Sequence, residues 1–197
     1  MQTSPRTRLT RVRLGGTAAI LAGLCYGAAG SLDRPGASAY TLDLVLVLSV
    51  AIPVLFLGGL LGLHTRLLLA AQRSLASGAG FVLGCLGALL GIVGPLVSEQ
   101  SAFSQLTEIA SWWVPSLAGL TLMGLAAFVK EGLRFLGAVV LISAVIGWIS
   151  LLTDPAYSGV VVPMHPVHVV FAAALCLSCM AWGLMLVVSW RLTRSKF

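Results

Sequence analysis

Apolar residues run along this chain in six long stretches that no Asp, Glu, Lys, Arg or His interrupts: 14–32, 44–63, 74–98, 109–129, 135–153 and 169–190. An α-helix rising about 1.5 Å per residue needs ~20 predominantly apolar residues to cross a hydrocarbon core of about 30 Å. All six stretches are of that order. A transmembrane β-barrel would instead show strands of roughly 10 residues with alternating polarity, and that alternation is missing here. The pattern therefore predicts an all-α, polytopic integral membrane protein. It is read as a single domain, 1–197, of six transmembrane helices whose connections are too short to fold separately.

Composition removes the competing classes. Hydrophobic residues make up 58% of the chain and charged residues 9%, with a mean hydropathy of +1.02. A soluble domain carries about 25% charged residues to keep its surface hydrated, so a soluble enzyme or a nucleic-acid-binding module is excluded. The few charges are also sorted by sign. Arg6, Arg8, Arg11, Arg13, Arg66, Arg73, Lys130, Arg134, Arg191, Arg194 and Lys196, 11 of the 12 basic residues, fall on one side of the alternating segments. Asp33, Asp43, Glu99, Glu108 and Asp154, five of the six acids, fall on the other, with Arg34. Basic residues in short loops stay cytoplasmic during insertion, so both termini are expected inside a cell (plasma or inner) membrane. The net charge of +6 then follows from topology and anionic lipid and implies no nucleic acid partner. Trp112, Trp113 and Trp148 fall near outer ends and Trp190 near an inner end, as interfacial tryptophans do, whereas Trp182 lies deeper and is expected between helices. The basic start, the apolar run and Gly27-Ala28-Ala29-Gly30 also fit a cleavable signal peptide, but the run is long enough to span, which favours a retained first helix.

In lipid, helices associate through small residues that let backbones approach. Gly80, Gly84, Gly87, Gly91 and Gly94 are spaced 4, 3, 4 and 3, which places them on one stripe of the third helix. That stripe predicts a central third helix gripped by a neighbour. Ala172, Cys176, Cys179 and Gly183 repeat the spacing in the sixth helix, and Ala19, Gly23, Gly27 and Gly30 resemble it in the first. The third and sixth helices would each close a half of three, so a 3+3 inverted repeat is one arrangement the stripes allow. Pro53, Pro95 and Pro115 interrupt three spans, where a proline bends a helix or lines a cavity.

Candidate chemistry is sparse. Cys176-Leu177-Ser178-Cys179 has the CxxC spacing of thiol oxidoreductases, but it lies near mid-bilayer, where a thiolate is costly, and both thiols fall on the small-residue stripe. His165 and His168, with Asp154 from the same loop, could share a metal on the outer face, although a protein metal site wants three or four defined ligands. His64, at an inner helix end, is expected to snorkel beside Arg66. No span carries a charge, which disfavours proton relays and ion coupling. Hydroxyls such as Thr17, Ser49, Ser116, Thr121 and Ser143 usually bond to their own helix. HExxH, a P-loop and a dinucleotide fingerprint are all missing from the sequence, and no cofactor is predicted.

Three readings follow. In the first, the chain is a small non-catalytic helix bundle acting through its glycine and alanine faces on the lipid bilayer's other protein subunits or on itself. In the second, it binds or passes an apolar or neutral small molecule through a cavity that opens to the outer face between proline-bearing helices, reached by Trp112, Trp113 or the loop 153–168. Six helices with both termini inside, in a chain of this length, are similar in size and topology to the substrate-binding components of energy-coupling-factor vitamin transporters, a likeness of architecture alone. In the third, the outer face carries the metal or thiol-redox chemistry named above.

Overall fold

The computed structural model describes residues 5–32, 38–70, 74–97, 102–152 and 166–194. These residues form six helices: α1 (Pro5–Leu32), α2 (Ala39–Leu69), α3 (Leu75–Val97), α4 (Ala102–Val129), α5 (Arg134–Leu152) and α6 (Pro166–Arg194). Among the described residues there is no strand. Thr7–Ala29, Asp43–Leu69, Leu75–Val93, Trp112–Val129 and Arg134–Leu152 are long and apolar enough to cross a membrane, and α6 carries a shorter apolar stretch, Ala173–Ser189.

Most helices run past the apolar stretches that predict them, because a helix ends where its backbone is capped, whereas the stretch ends at the first charge. α2 illustrates this with 31 residues, about 46 Å at 1.5 Å per residue, so its ends reach beyond the hydrocarbon. Ser38 starts it by accepting a hydrogen bond from the Thr41 amide at 3.3 Å. Ser74 starts α3 in the same way, accepting from the Ser77 amide at 3.1 Å. Between α4 and α5 the chain reverses over Lys130–Leu133, closed by the Leu133 amide donating to the Lys130 carbonyl at 3.0 Å. Gly132 has φ +80 there. A side chain in that region meets its own backbone at about 1–2 kcal/mol, so Gly132→Ala is expected to lower stability by about 1 kcal/mol in a detergent unfolding titration, although its surroundings are open.

Consecutive helices are antiparallel neighbours, and α6 closes the ring against α1. The register is visible at the glycines. Gly15 of α1 meets Gly62 and Gly58 of α2; Gly16 meets Gly183 of α6; Gly80 and Gly84 of α3 meet Gly119 of α4; Gly137 of α5 meets Ala127 and Phe128 of α4. With α1 opposed to both α2 and α6, the start of α1 and the end of α6 lie at one end of the bundle.

Packing around the ring is uneven. α1 packs extensively on α2 and α6, α4 packs extensively on α5 and α3, and the seams α2/α3 and α5/α6 are the thinnest of the ring. The crossings α1/α6 and α4/α3 both bring glycine backbone against glycine backbone, Gly16 against Gly183 and Gly119 against Gly80. The two thin seams divide the ring into one half-bundle of α6, α1 and α2 and another of α3, α4 and α5.

The shared core consists of Val12, Ala19, Leu60, Leu63, Leu67, Leu120, Met123, Ala127, Leu133, Leu136, Val140, Ala144, Trp182 and Leu186. α3 gives this cluster no fully buried residue; only Phe81 packs against it. The expectation of a central third helix is therefore corrected. Its glycine stripe is gripped by α4 and α2, but glycines have no side chains to fill a core, and its bulk (Val82, Leu86, Leu89, Val93) points outward. Elsewhere too the exposed residues are large and apolar, such as Val47, Ile142, Leu177 and Leu184, as expected of a surface wetted by lipid.

Candidate functional site

A cavity of about 40 Å³ lies between the half-bundles. α1 contributes Ala22, Gly23 and Tyr26, α2 contributes Ile52 and Phe56, α4 contributes Trp112, Trp113, Ser116, Leu117 and Leu120, and α6 contributes Leu175, Cys176 and Cys179. These positions fall in the second half of α1, the middle of α2 and α4, and the first half of α6. The cavity thus sits towards the end of the bundle opposite the termini. Its exposed wall is wholly apolar.

The sequence explains why space remains there. Ala22 and Gly23 give α1 almost no bulk, while α2 and α4 each carry a proline beside the cavity, Pro53 and Pro115. Pro115 has no amide hydrogen to donate to the turn before it, which loosens the helix where Trp112 and Trp113 leave it. The two indoles lie against each other with centroids 4.5 Å apart, and Trp113 meets Tyr26 of α1 edge-on at 5.9 Å. This aromatic group bridges the two halves. Pro53 is buried and faces Gly91 of α3, whose small size also receives the Trp112 ring.

Most intramembrane hydroxyls behave as expected. Thr17 donates to the Arg13 carbonyl at 3.1 Å, Ser49 to Val45 at 2.9 Å, Thr121 to Leu117 at 2.7 Å and Ser143 to Val139 at 2.9 Å. Ser116 is the exception beside the cavity. Its Oγ is buried without a hydrogen-bond partner, and it occupies the space that a side chain at Gly87 would need.

The stripe glycines whose surroundings are described turn inward. Gly80, Gly84, Gly87 and Gly91 face α4 and α2, Gly23 and Gly27 face Cys176, Cys179 and Met180 of α6, and Gly183 faces α1. Gly94 continues α3, but its surroundings lie outside the described residues. Cys176 and Cys179 are half-buried free thiols on the cavity wall. Asp154 and His165 lie outside the described residues, as does the side chain of His168. Among the described residues no group of three or more His, Cys, Asp or Glu side chains could hold a metal ion.

Two placements differ from expectation. His64 does not simply snorkel beside Arg66: its ring stacks on Phe81 of α3 with centroids 4.3 Å apart, and both His64 Nδ1 and Arg66 Nε are buried without partners. The reason is that α2 continues to Leu69, so both residues sit inside the helix rather than at its end. Trp148, expected at the outer interface, instead turns into the bundle and donates from Nε1 to Thr121 Oγ1 at 3.3 Å. The cavity's remaining lining, above all Phe56, Leu120 and Leu175, carried no sequence signal, since an apolar residue in a span looks the same whether it faces lipid, core or cavity. No family model, curated protein or solved structure matches the chain.

Proposed function

We propose that this chain is a non-catalytic multi-pass protein of the cell membrane, with cytoplasmic termini, that holds an apolar or neutral small molecule between its two half-bundles. The observation that carries this reading is the wholly apolar cavity where Tyr26, Phe56, Trp112 and Trp113 converge. An apolar void leaves its lining atoms without dispersion partners and takes up water poorly, so an apolar group entering it gains contacts at little desolvation cost. A space of about 40 Å³ suits a narrow occupant, such as the end of a linear hydrocarbon chain, better than a ring system.

Action on partners through the glycine faces is the weaker reading. Those faces are occupied within the chain, so contact with other subunits or a second copy would use outward faces such as Val82, Leu86 and Leu89 of α3. A fatty acid bearing a diazirine near its methyl end tests the cavity. Crosslinks mapped by mass spectrometry are expected on the cavity residues of α1, α4 and α6. Ile52→Phe, which fills the space from the half-buried wall of α2, is expected to reduce them to background. Crosslinks confined to outward residues such as Val82 and Leu177, unchanged by Ile52→Phe, would refute the reading.

A further inference from the structure

We propose that Arg66 of α2 and Arg8 of α1 form a site for a phosphate group at the end of the bundle where α1 starts and α6 ends. Along the α1/α2 crossing, Gly15 and the Val12 carbonyl of α1 lie against Gly62 of α2, and the Val12 side chain is buried in the core. The two helices run in opposite directions. Arg8, one turn before Val12, and Arg66, one turn after Gly62, therefore carry these facing surfaces on towards the same end. Both arginines are half-buried, whereas Arg11 and Arg13 on the same stretch of α1 are exposed.

Arg66 Nε is buried and has no hydrogen-bond partner. An arginine stem can lie on apolar surface while its head stays in water, but here part of the charged head has left water as well. A charged donor withdrawn from solvent needs an acceptor. The half-bundle offers no carboxylate side chain for it. α6, α1 and α2 contain one acidic residue, Asp43, and it lies at the opposite end of α2, about 35 Å away at 1.5 Å per residue. Glu131 shares the end with Arg66, but it is exposed in the turn between α4 and α5, in the other half-bundle. An external anion is the partner this arrangement lacks.

The guanidinium group selects the anion. Its fork of N–H donors matches two phosphate oxygens at a time, and a phosphate keeps further oxygens for a second guanidinium. A carboxylate has two oxygens and one charge, so it would serve one arginine and leave the other. Phosphate reaches a membrane boundary in two forms, as the headgroup of an anionic phospholipid and as a soluble phosphate ester. Both present the same oxygens to Arg66 and Arg8.

The inference stands independently of the hydrocarbon-binding reading, because this site lies at the end of the bundle opposite the cavity. The test is thermal unfolding of the full-length protein in phosphatidylcholine nanodiscs, since a ligand held by the folded state raises the midpoint. Phosphatidylglycerol in the bilayer and glycerol 3-phosphate in the buffer are the two probes, at fixed ionic strength. A rise with phosphatidylglycerol alone assigns the site to a lipid headgroup, and a rise with glycerol 3-phosphate assigns it to a soluble ester. A parent midpoint unmoved by either, a result that needs no variant to fold, would overturn the assignment. Arg66→Gln is expected to weaken binding of the effective probe by about ten- to a hundredfold, as loss of a charge-assisted contact does. It is also expected to fold at least as well as the parent without phosphate, because it removes an unpaired buried charge. Arg8→Gln and Arg66→Lys, which keeps the charge but not the fork, give further readings of the same loss. Arg134→Gln removes an equal charge from an exposed position at the start of α5 and is expected to bind as the parent does. Equal weakening in Arg66→Gln and Arg134→Gln would reveal a diffuse basic rim and no site. Ile52→Phe is expected to abolish lipid crosslinking while leaving the phosphate response intact.

Discussion

Replacing Gly119 by alanine is expected to break the α3/α4 pairing, while the same substitution at Gly78 leaves the protein intact. Intrinsic propensity predicts a gain at both positions, since alanine favours a helix over glycine by about 0.5–1 kcal/mol. Packing decides between them. A methyl group on Gly119 would lie 2.5 Å from the Gly80 carbonyl oxygen and 2.5 Å from the Gly84 amide nitrogen, so it meets backbone that no rotamer change can move. Overpacking of this kind costs about 1–3 kcal/mol or more, and separating the helices would also loosen the contacts of Gly87 with Ser116 and of Gly91 with Trp112. At Gly78 an added methyl meets nothing within 4 Å. Thermal unfolding in detergent, followed by circular dichroism and by the monodisperse fraction on gel filtration, reads both variants. Equal midpoints for Gly119→Ala and Gly78→Ala would show that the close crossing is not required.

Trp182→Ala is expected to give the largest loss of stability from a single truncation, about 3–5 kcal/mol, because a buried aromatic leaves a void that its neighbours only partly fill. The indole is fully buried and reaches across from α6 to Gly59 of α2, where an added methyl would lie 2.7 Å from Trp182 Cη2. It therefore ties together the two outer helices of the α6–α1–α2 half, which otherwise touch little. Trp182→Phe separates packing from polarity. It keeps most of the volume and removes the unpartnered N–H, whose burial costs about 1–3 kcal/mol, so it is expected to retain most of the parent's stability. If Trp182→Phe were as damaging as Trp182→Ala, the indole N–H would have a partner that supports the fold.

Much of the architecture could be read from the sequence. Uninterrupted apolar stretches located the six helices, because hydrocarbon tolerates only segments that satisfy their own backbone hydrogen bonds. The glycine spacing on α3 correctly marked a face of close helix contact, and the depth of Trp182 marked it as buried. Other features were illegible for a definite reason. Glycine spacing shows that a backbone approaches but not which one, so α3 read as central when it is one member of the ring that adds no fully buried side chain to the shared core cluster. Tryptophan near a helix end suits both an interface and a neighbouring helix, so the turn of Trp148 towards Thr121 could not be foreseen. His64 read as interfacial because the apolar stretch stops before it, whereas α2 continues to Leu69.

The cavity is the clearest case. The prolines and tryptophans suggested a space between bent helices, but its walls combine four helices distant in sequence, and its emptiness is a property of volumes left over after packing. The sequence by itself determined the class, the number of helices and the sorting of charge, because bilayer insertion acts on local hydrophobicity and on loop charge. Tertiary structure alone decided which helices touch, which glycines are clamped and where a cavity is left, because those depend on how six similar apolar surfaces choose one another.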